Sequence, residues 1–309
     1  MAPDARWIAL ALGLAVAGAA GAQELEPRAL QNAPVGLNFL VASVGYARGN
    51  LLMDPSLPIE NARADVGTLL LGLFRTIGLL GMNGRIGVAV PLATGEWSGQ
   101  VAGADTSTTR TGAGDPRFMF ALNFIGAPAL SFRDFRGYRQ HTVVGMQFAI
   151  GIPIGQYYPE RLVNLGSNRW SFMPRFGVSQ LLGRWVFEAY SGVVFYTRND
   201  AYYGGKVLTQ DPFFDVQGHV IYALRYPSFW TAASVGYGWG GVAGLNGVPK
   251  QPLHNVRASA MVRVPLGLQH ALKLVYINGL HTKFGTDFDT FQVVYQYAFG
   301  APKPPRPAQ

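Results

Sequence analysis

A hydrolytic site would draw on histidine, serine and carboxylate, and the chain has five histidines, His141, His219, His254, His270 and His281. None stands in a nucleophile motif such as Gly-x-Ser-x-Gly. His219 and Asp215 share one face of an extended segment at i and i+4, about 13 Å apart along the chain and beyond direct hydrogen bonding. A partner from a neighbouring strand would be needed to complete a site. Asp287 and Asp289, beside Thr286, could hold calcium weakly, but two carboxylates at the start of a strand more readily stay solvated. With no cysteine, disulfides, thiolate metal sites, a cysteine nucleophile and a lipoprotein anchor are all closed off. No glycine-rich loop passes from a strand into a helix to cradle phosphate, so no nucleotide or other cofactor is called for. What remains is arginine at alternating positions. Arg117, Arg169, Arg175, Arg225, Arg257 and Arg263 stand against Glu188 and Asp215, and with His219 on the same face such a set attracts anions rather than breaking bonds.

These residues need a scaffold, and composition narrows it. Only 14% of residues are charged while 13% are aromatic, with 39 glycines, against about 25% charged for soluble domains. That balance suits a lipid-facing surface. The formal charge of +8 and pI near 9.8 would raise nucleic acid as a partner, but the basic residues are scattered rather than clustered, so nucleic-acid binding is not expected. The same charge can line a lumen or face anionic lipid headgroups.

Residues 1–22 carry Arg6, an apolar run over residues 7–17, and small residues ending Ala20-Gly21-Ala22 before Gln23. That is the pattern of a secretory signal with an Ala-x-Ala cleavage site. No later stretch reaches the ~18 consecutive apolar residues of a membrane helix. A chain that enters a membrane without such helices must do so as strands, and only a closed barrel then satisfies every backbone amide.

Strict alternation over about ten residues supports this reading. Phe118, Phe120, Leu122 and Phe124 alternate with Arg117, Met119, Ala121 and Asn123. Over residues 142–154, Val144, Met146, Phe148, Ile150, Ile152 and Ile154 alternate with small residues, which suggests space inside. Trp170, Phe172, Phe176 and Val178 face away from Ser171, Met173, Arg175 and Gly177. Phe214, Val216, Val220, Tyr222, Leu224 and Tyr226 face away from Asp215, Gln217, His219 and Arg225. Weaker strands are expected over 36–49, 62–78, 84–97, 185–198, 229–240, 256–266, 271–283 and 288–299, for about twelve antiparallel strands, an even number as bacterial single-chain barrels have. Links near 50–61, 98–113, 156–167, 199–211 and 241–255 are long, and those near 79–83, 182–184, 227–228 and 267–270 are short. This asymmetry fits external loops and periplasmic turns. The stretch 126–139 breaks the rule and is expected to form a short periplasmic helix. Trp97, Tyr157, Tyr158, Trp170, Trp185, Tyr196, Trp230 and Trp239 are expected in interfacial girdles. The closing strand, with Phe291, Val293, Tyr295, Tyr297 and Phe299 on one face, is similar to the signal read by the barrel assembly machinery, although Val294 stands where glycine is usual. Pro302, Pro304, Pro305 and Pro307 prevent regular structure after it.

The division expected is a signal peptide at 1–22, a periplasmic N-terminal segment at 23–34, a barrel at 35–299 and a disordered Pro-rich periplasmic tail at 300–309. The stretches Glu26-Pro27-Arg28-Ala29-Leu30-Gln31-Asn32-Ala33-Pro34, Gly114-Asp115-Pro116-Arg117 and Leu165-Gly166-Ser167-Asn168-Arg169-Trp170 resemble the outer-membrane family labelled MetA pathway of phenol degradation. The resemblance implies a transporter-like barrel with no catalytic residues to carry over.

The expectation is therefore a channel or transporter in the outer membrane of a Gram-negative bacterium, reached through a cleaved signal peptide. Its partners would be outer-membrane lipids, the barrel assembly machinery and a small-molecule solute, with oligomeric state left open. A net cationic lumen would favour anions, for example aromatic carboxylates. In a variant of this reading Met119, Met173, Tyr190 and Met261 line a path for apolar solutes. The alternatives are a closed structural or binding barrel, whose charges pair across the lumen, and an outer-membrane hydrolase.

Overall fold

Alternating apolar and small or polar residues give one dominant element. The computed structural model describes residues 25–52, 59–101, 103–225, 227–283 and 285–300; the expected signal peptide and Pro-rich tail lie outside them, apart from Gly300. The strands are β1 (Asn38–Leu52), β2 (Ile59–Leu79), β3 (Met82–Val101), β4 (Ala104–Ala113), β5 (Arg117–Ile125), β6 (Thr142–Gly151), β7 (Ser171–Leu182), β8 (Trp185–Tyr196), β9 (Asn199–Tyr202), β10 (Lys206–Gln210), β11 (Phe213–Arg225), β12 (Phe229–Gly240), β13 (Ala243–Leu245), β14 (Val248–Pro249), β15 (Leu253–Pro265), β16 (His270–Thr282) and β17 (Gly285–Phe299).

Thirteen of these form one antiparallel sheet, and β4 and β5 lie end to end along β3, so the wall has twelve staves. The break between β4 and β5 is Gly114-Asp115-Pro116, where proline removes a ladder donor. The sheet closes on itself because β1 pairs β2 on one side and β17 on the other, from Asn38↔Phe299 to Leu52↔Gly285. Closure removes the edges that an open sheet would expose. The outer face carries Leu73, Phe176, Leu274 and Phe291, all exposed, and the inner face is buried.

One end of the barrel has the short turns and both termini of the wall, and the other has the long links. The loop end is more regular than expected. The link over 98–113 continues the β3–β4 ladder, and β9, β10, β13 and β14 form a second small sheet over Tyr202, Leu208 and Leu245. At the turn end, 126–139 contains the expected helix, α1 (Phe132–Phe135), capped by Ser131. The length of this stretch has a local cause: Ala127, Ala129 and Leu130 hydrogen-bond Asn83, Gly81 and Val35, joining a turn to the segment that precedes β1.

Two tryptophans depart from the expected girdles. Trp170 and Trp185 point outward, but Trp97 and Trp230 are 1% and 2% exposed. Trp97 packs inside with Leu51, Ala62, Ala64 and Val163, and Trp230 with Val186, Ile221, Ala232, Met261 and Val275. The alternation of β3 and β12 fixes both on the inner face, and the amphipathic ring fills the lumen there instead of meeting a headgroup.

Candidate functional site: the barrel lumen

The cross-strand register arranges the inner wall from β7 to β16 in rows. One row runs Ser179, Glu188, His219, Ser234, Ser259 and Ile277, and the row toward the turn end runs Leu181, Val186, Ile221, Ala232, Met261 and Val275. Two rows toward the loop end from Glu188 lie Arg175, Gly192 and Asp215. Arg175 Nη2 reaches Asp215 Oδ2 at 3.3 Å, with both side chains buried. The pair closes over Gly192, where a Cβ would stand 2.8 Å from Asp215 Oδ1. Gln217 Nε2 donates to the same carboxylate at 2.9 Å.

Glu188 is engaged differently. It accepts from the Arg28 backbone N–H at 2.7 Å, from Ser179 Oγ at 2.8 Å and from Tyr190 Oη at 3.1 Å, and the Arg28 guanidinium lies 3.9 Å away. Arg28 belongs to the segment before β1, which lies inside the barrel from residue 25 on. Thr76 Oγ1 donates to Pro34 O at 2.5 Å, Asn83 Nδ2 to Ala33 O at 2.7 Å and Asn123 Nδ2 to Leu30 O at 3.2 Å. Glu26 meets Lys273 at 3.7 Å on the opposite wall. The segment thus crosses from β2, past β5–β8, to β12 and β16. The physical reason is the set of small inward residues. Leu30 sits where side chains at Gly145 and Gly177 would be, 3.0 and 3.2 Å from their Cβ positions, and Leu25 lies 2.8 Å from that of Gly236. Of the space that the alternation over 142–154 suggested as open, the part at Gly145 is occupied by Leu30.

The remaining arginines are dispersed. Arg169, in the loop before β7, stacks on Tyr196 at 4.4 Å and donates to Gln210 Oε1 at 2.5 Å. Burial lowers its pKa, with Tyr196, Tyr202 and Asp115 opposing. Arg257 donates to Thr286 Oγ1 at 2.7 Å, Arg263 to Ser228 O, and half-buried Arg117 begins β5. Arg225 was expected on the luminal face. It lies past a register shift between Ala223 and Arg225 and is exposed at the turn end. Of the apolar candidates, Met261 and Tyr190 are buried inside and Met173 packs on Val194 and Phe213. Sequence reasoning missed Glu26, Arg28, Arg85 and Lys273. Arg85 Nη2 contacts Gln31 O at 3.4 Å. The signal for Glu26 and Arg28 was the Glu26–Pro34 stretch itself, whose polar residues have no alternation to place them.

Ser234, His219 and Glu188 are aligned on three adjacent strands, the order a hydrolytic triad would need. No hydrogen bond joins them: among the described residues His219 Nδ1 and Nε2 and Ser234 Oγ have no partner, and the Glu188 oxygens are taken up elsewhere. Among the described residues no three His, Asp or Glu gather as a metal site. Asp289 instead accepts from Tyr276 and Asn278 on the outer wall.

The other two distinctive stretches form a clasp at the loop end. Asp115 accepts from Gly155 N at 2.9 Å, Ser167 N at 2.8 Å and Ser167 Oγ at 2.5 Å, tying 114–117 to 165–170. Asn168, at φ 52°, donates to Asn199.

A closed antiparallel wall with an apolar outer face and a polar interior defines a β-barrel of the outer-membrane kind. The chain belongs to the family described as "Putative MetA-pathway of phenol degradation", whose profile matches residues 53–289. Its fold is similar to that of an outer membrane channel from Pseudomonas putida F1, at a TM-score of 0.74 and 18% identity over 89% of this chain and 100% of that one. It is also similar to the beta domain of the Bordetella autotransporter BrkA, at 0.51 and 12% identity over 84% and 98%. No curated protein sequence matches.

Proposed function

We propose that this chain is an outer-membrane channel or transporter for small solutes, with the short turns and the ends of the wall in the periplasm, and that its lumen favours anions such as aromatic carboxylates. The observation that carries this reading is the imbalance of charge on the inner wall. Arg175, Arg257 and Arg263 on the wall, with Arg169 in the loop before β7, stand against Glu188 and Asp215, and both carboxylates are already paired. Charge left over after pairing sets selectivity in a narrow lumen. The aromatic part rests on the family's description. Passage requires the segment at 25–37 to shift, because it crosses the lumen.

The reading includes export by a signal at 1–22, folding by the barrel assembly machinery, a lipid surround and no enzymatic activity. The test is single-channel conductance of the refolded protein in a planar bilayer, with reversal potentials in asymmetric salt and benzoate as a competing solute. Openings that reverse toward the anion potential and are blocked by benzoate are expected. Silence from a folded, heat-modifiable barrel overturns passage and favours the second reading, a closed barrel, which the occupied lumen supports. Esterase turnover in detergent would overturn the non-enzymatic part.

A further inference from the structure

Inside a protein, polar side chains are almost always hydrogen-bonded, and a cluster that is not calls for an explanation. His219, Ser234 and Ser259 are 2%, 6% and 7% exposed. Among the described residues neither ring nitrogen of His219 has a partner, nor does either serine Oγ. They are not scattered. The register pairs His219 with Ser234 and Ser234 with Ser259, so four unengaged polar atoms stand side by side on three neighbouring strands of the inner wall. Neighbouring strands are about 4.8 Å apart, so the three groups span about 10 Å.

What flanks this strip gives its ligand a shape. Two residues toward the turn end, about 7 Å along each strand, lies the apolar row of Ile221, Ala232 and Met261, continued by Val275 and Trp230. Two residues toward the loop end, β12 presents Gly236, between Gln217 and Arg257, and Leu25 of the N-terminal segment covers it. The neighbouring carboxylate, Glu188, is held by Arg28, Ser179 and Tyr190, while the Tyr190 ring meets that of His219 at 5.3 Å. The strip can therefore offer two hydroxyl donors and one imidazole N–H, with an apolar floor on one side.

We propose that His219, Ser234 and Ser259 form a binding site for the head of a small carboxylate whose apolar body lies against Ile221, Ala232, Met261 and Trp230, with Leu25 as its roof. One carboxylate oxygen accepts from Ser234 and Ser259, and the other from the His219 N–H. The proposal deepens the channel reading by giving the solute a place to pause in the lumen, and it rests on that reading for its role but not for its existence.

The test is calorimetric titration of benzoate into the refolded full chain in detergent, beside conductance of the same protein in bilayers. Wild type is expected to bind benzoate. Ser234→Ala with Ser259→Ala should weaken binding at least tenfold, and His219→Leu should do so independently, while both variants keep the heat-modifiable mobility of wild type. Unchanged affinity in both variants overturns the site, as does phenol binding as tightly as benzoate, which removes the carboxylate from the argument. A conducting barrel that binds no benzoate sinks the site and leaves the channel reading standing. A silent barrel whose benzoate binding depends on the two serines sinks passage and leaves the site.

Discussion

Two buried ion pairs share this lumen and differ in what they join. Arg175 and Asp215 link strands of one wall across Gly192, so their geometry is set by the barrel ladder. Arg28 and Glu188 link a wall to a segment that has no ladder of its own. The first can be lost only by distorting the barrel. The second can be lost by withdrawing a peptide, and with it the Leu30 and Leu25 contacts in their glycine cradles. The same charge chemistry therefore acts as a brace in one place and a latch in the other.

The largest effect is expected at the latch. Glu188→Ala removes the carboxylate shared by four groups at once, the Arg28 guanidinium and N–H, Ser179 Oγ and Tyr190 Oη, although Arg28 and Ser179 keep Gln140 as a partner. Removing one partner of a buried pair costs about 3–5 kcal/mol, and the upper part of that range is expected in urea-dependent unfolding from vesicles. Because the segment is what loses its anchor, Glu188→Ala should also raise bilayer conductance, as should removal of residues 25–34. An unchanged conductance would show that the segment is a fixed wall lining. Asp215→Ala removes the acceptor of Arg175 and one of the partners of Gln217 and should cost the lower part of the same range. It should leave occlusion as it is, and so sharpen the contrast.

A gentler perturbation of the brace is Gly192→Ala. Its Cβ would meet Asp215 Oδ1 at 2.8 Å and Arg175 Nε at 3.3 Å, prising the pair apart without removing charge. Crowding of this kind costs about 1–3 kcal/mol. Chemical unfolding should show that loss, and Gly192→Ala combined with Asp215→Ala should cost clearly less than the two singles summed.

The sequence was most legible where lipid sets the rule. Phe214, Val216, Val220 and Leu224 had to alternate because one face of each strand meets hydrocarbon, and the register followed. Inside the barrel the rule fails. The small inward residues of 142–154, Gly145 among them, read as space, but the partner of Gly145, as of Gly177 and Gly236, is a segment distant in sequence, and alternation carries no information about what fills a cavity from elsewhere. Arg225 was misplaced for a local reason, since one extra residue at a bulge exchanges faces. Glu26–Pro34, Gly114–Arg117 and Leu165–Trp170 were distinctive as strings, yet nothing in their composition showed that the first crosses the lumen or that the others clasp through Asp115.

The smallest effect is expected outside the barrel. Arg48 and Asp65 form a pair at 3.3 Å with side chains 69% and 44% exposed, and Tyr46 Oη also donates to Asp65 at 2.5 Å. By distance alone this pair matches Arg175 and Asp215. An exposed pair pays side-chain entropy for a weak gain in high dielectric, so its net worth is about 0–1 kcal/mol. Asp65→Asn keeps the shape, retains an acceptor for Tyr46 and should shift the urea midpoint within error, with conductance unchanged. A loss comparable to that of Asp215→Ala would mean that burial is not what separates the strong pairs from the weak one, and the distinction between latch, brace and surface contact would have to be drawn on geometry instead.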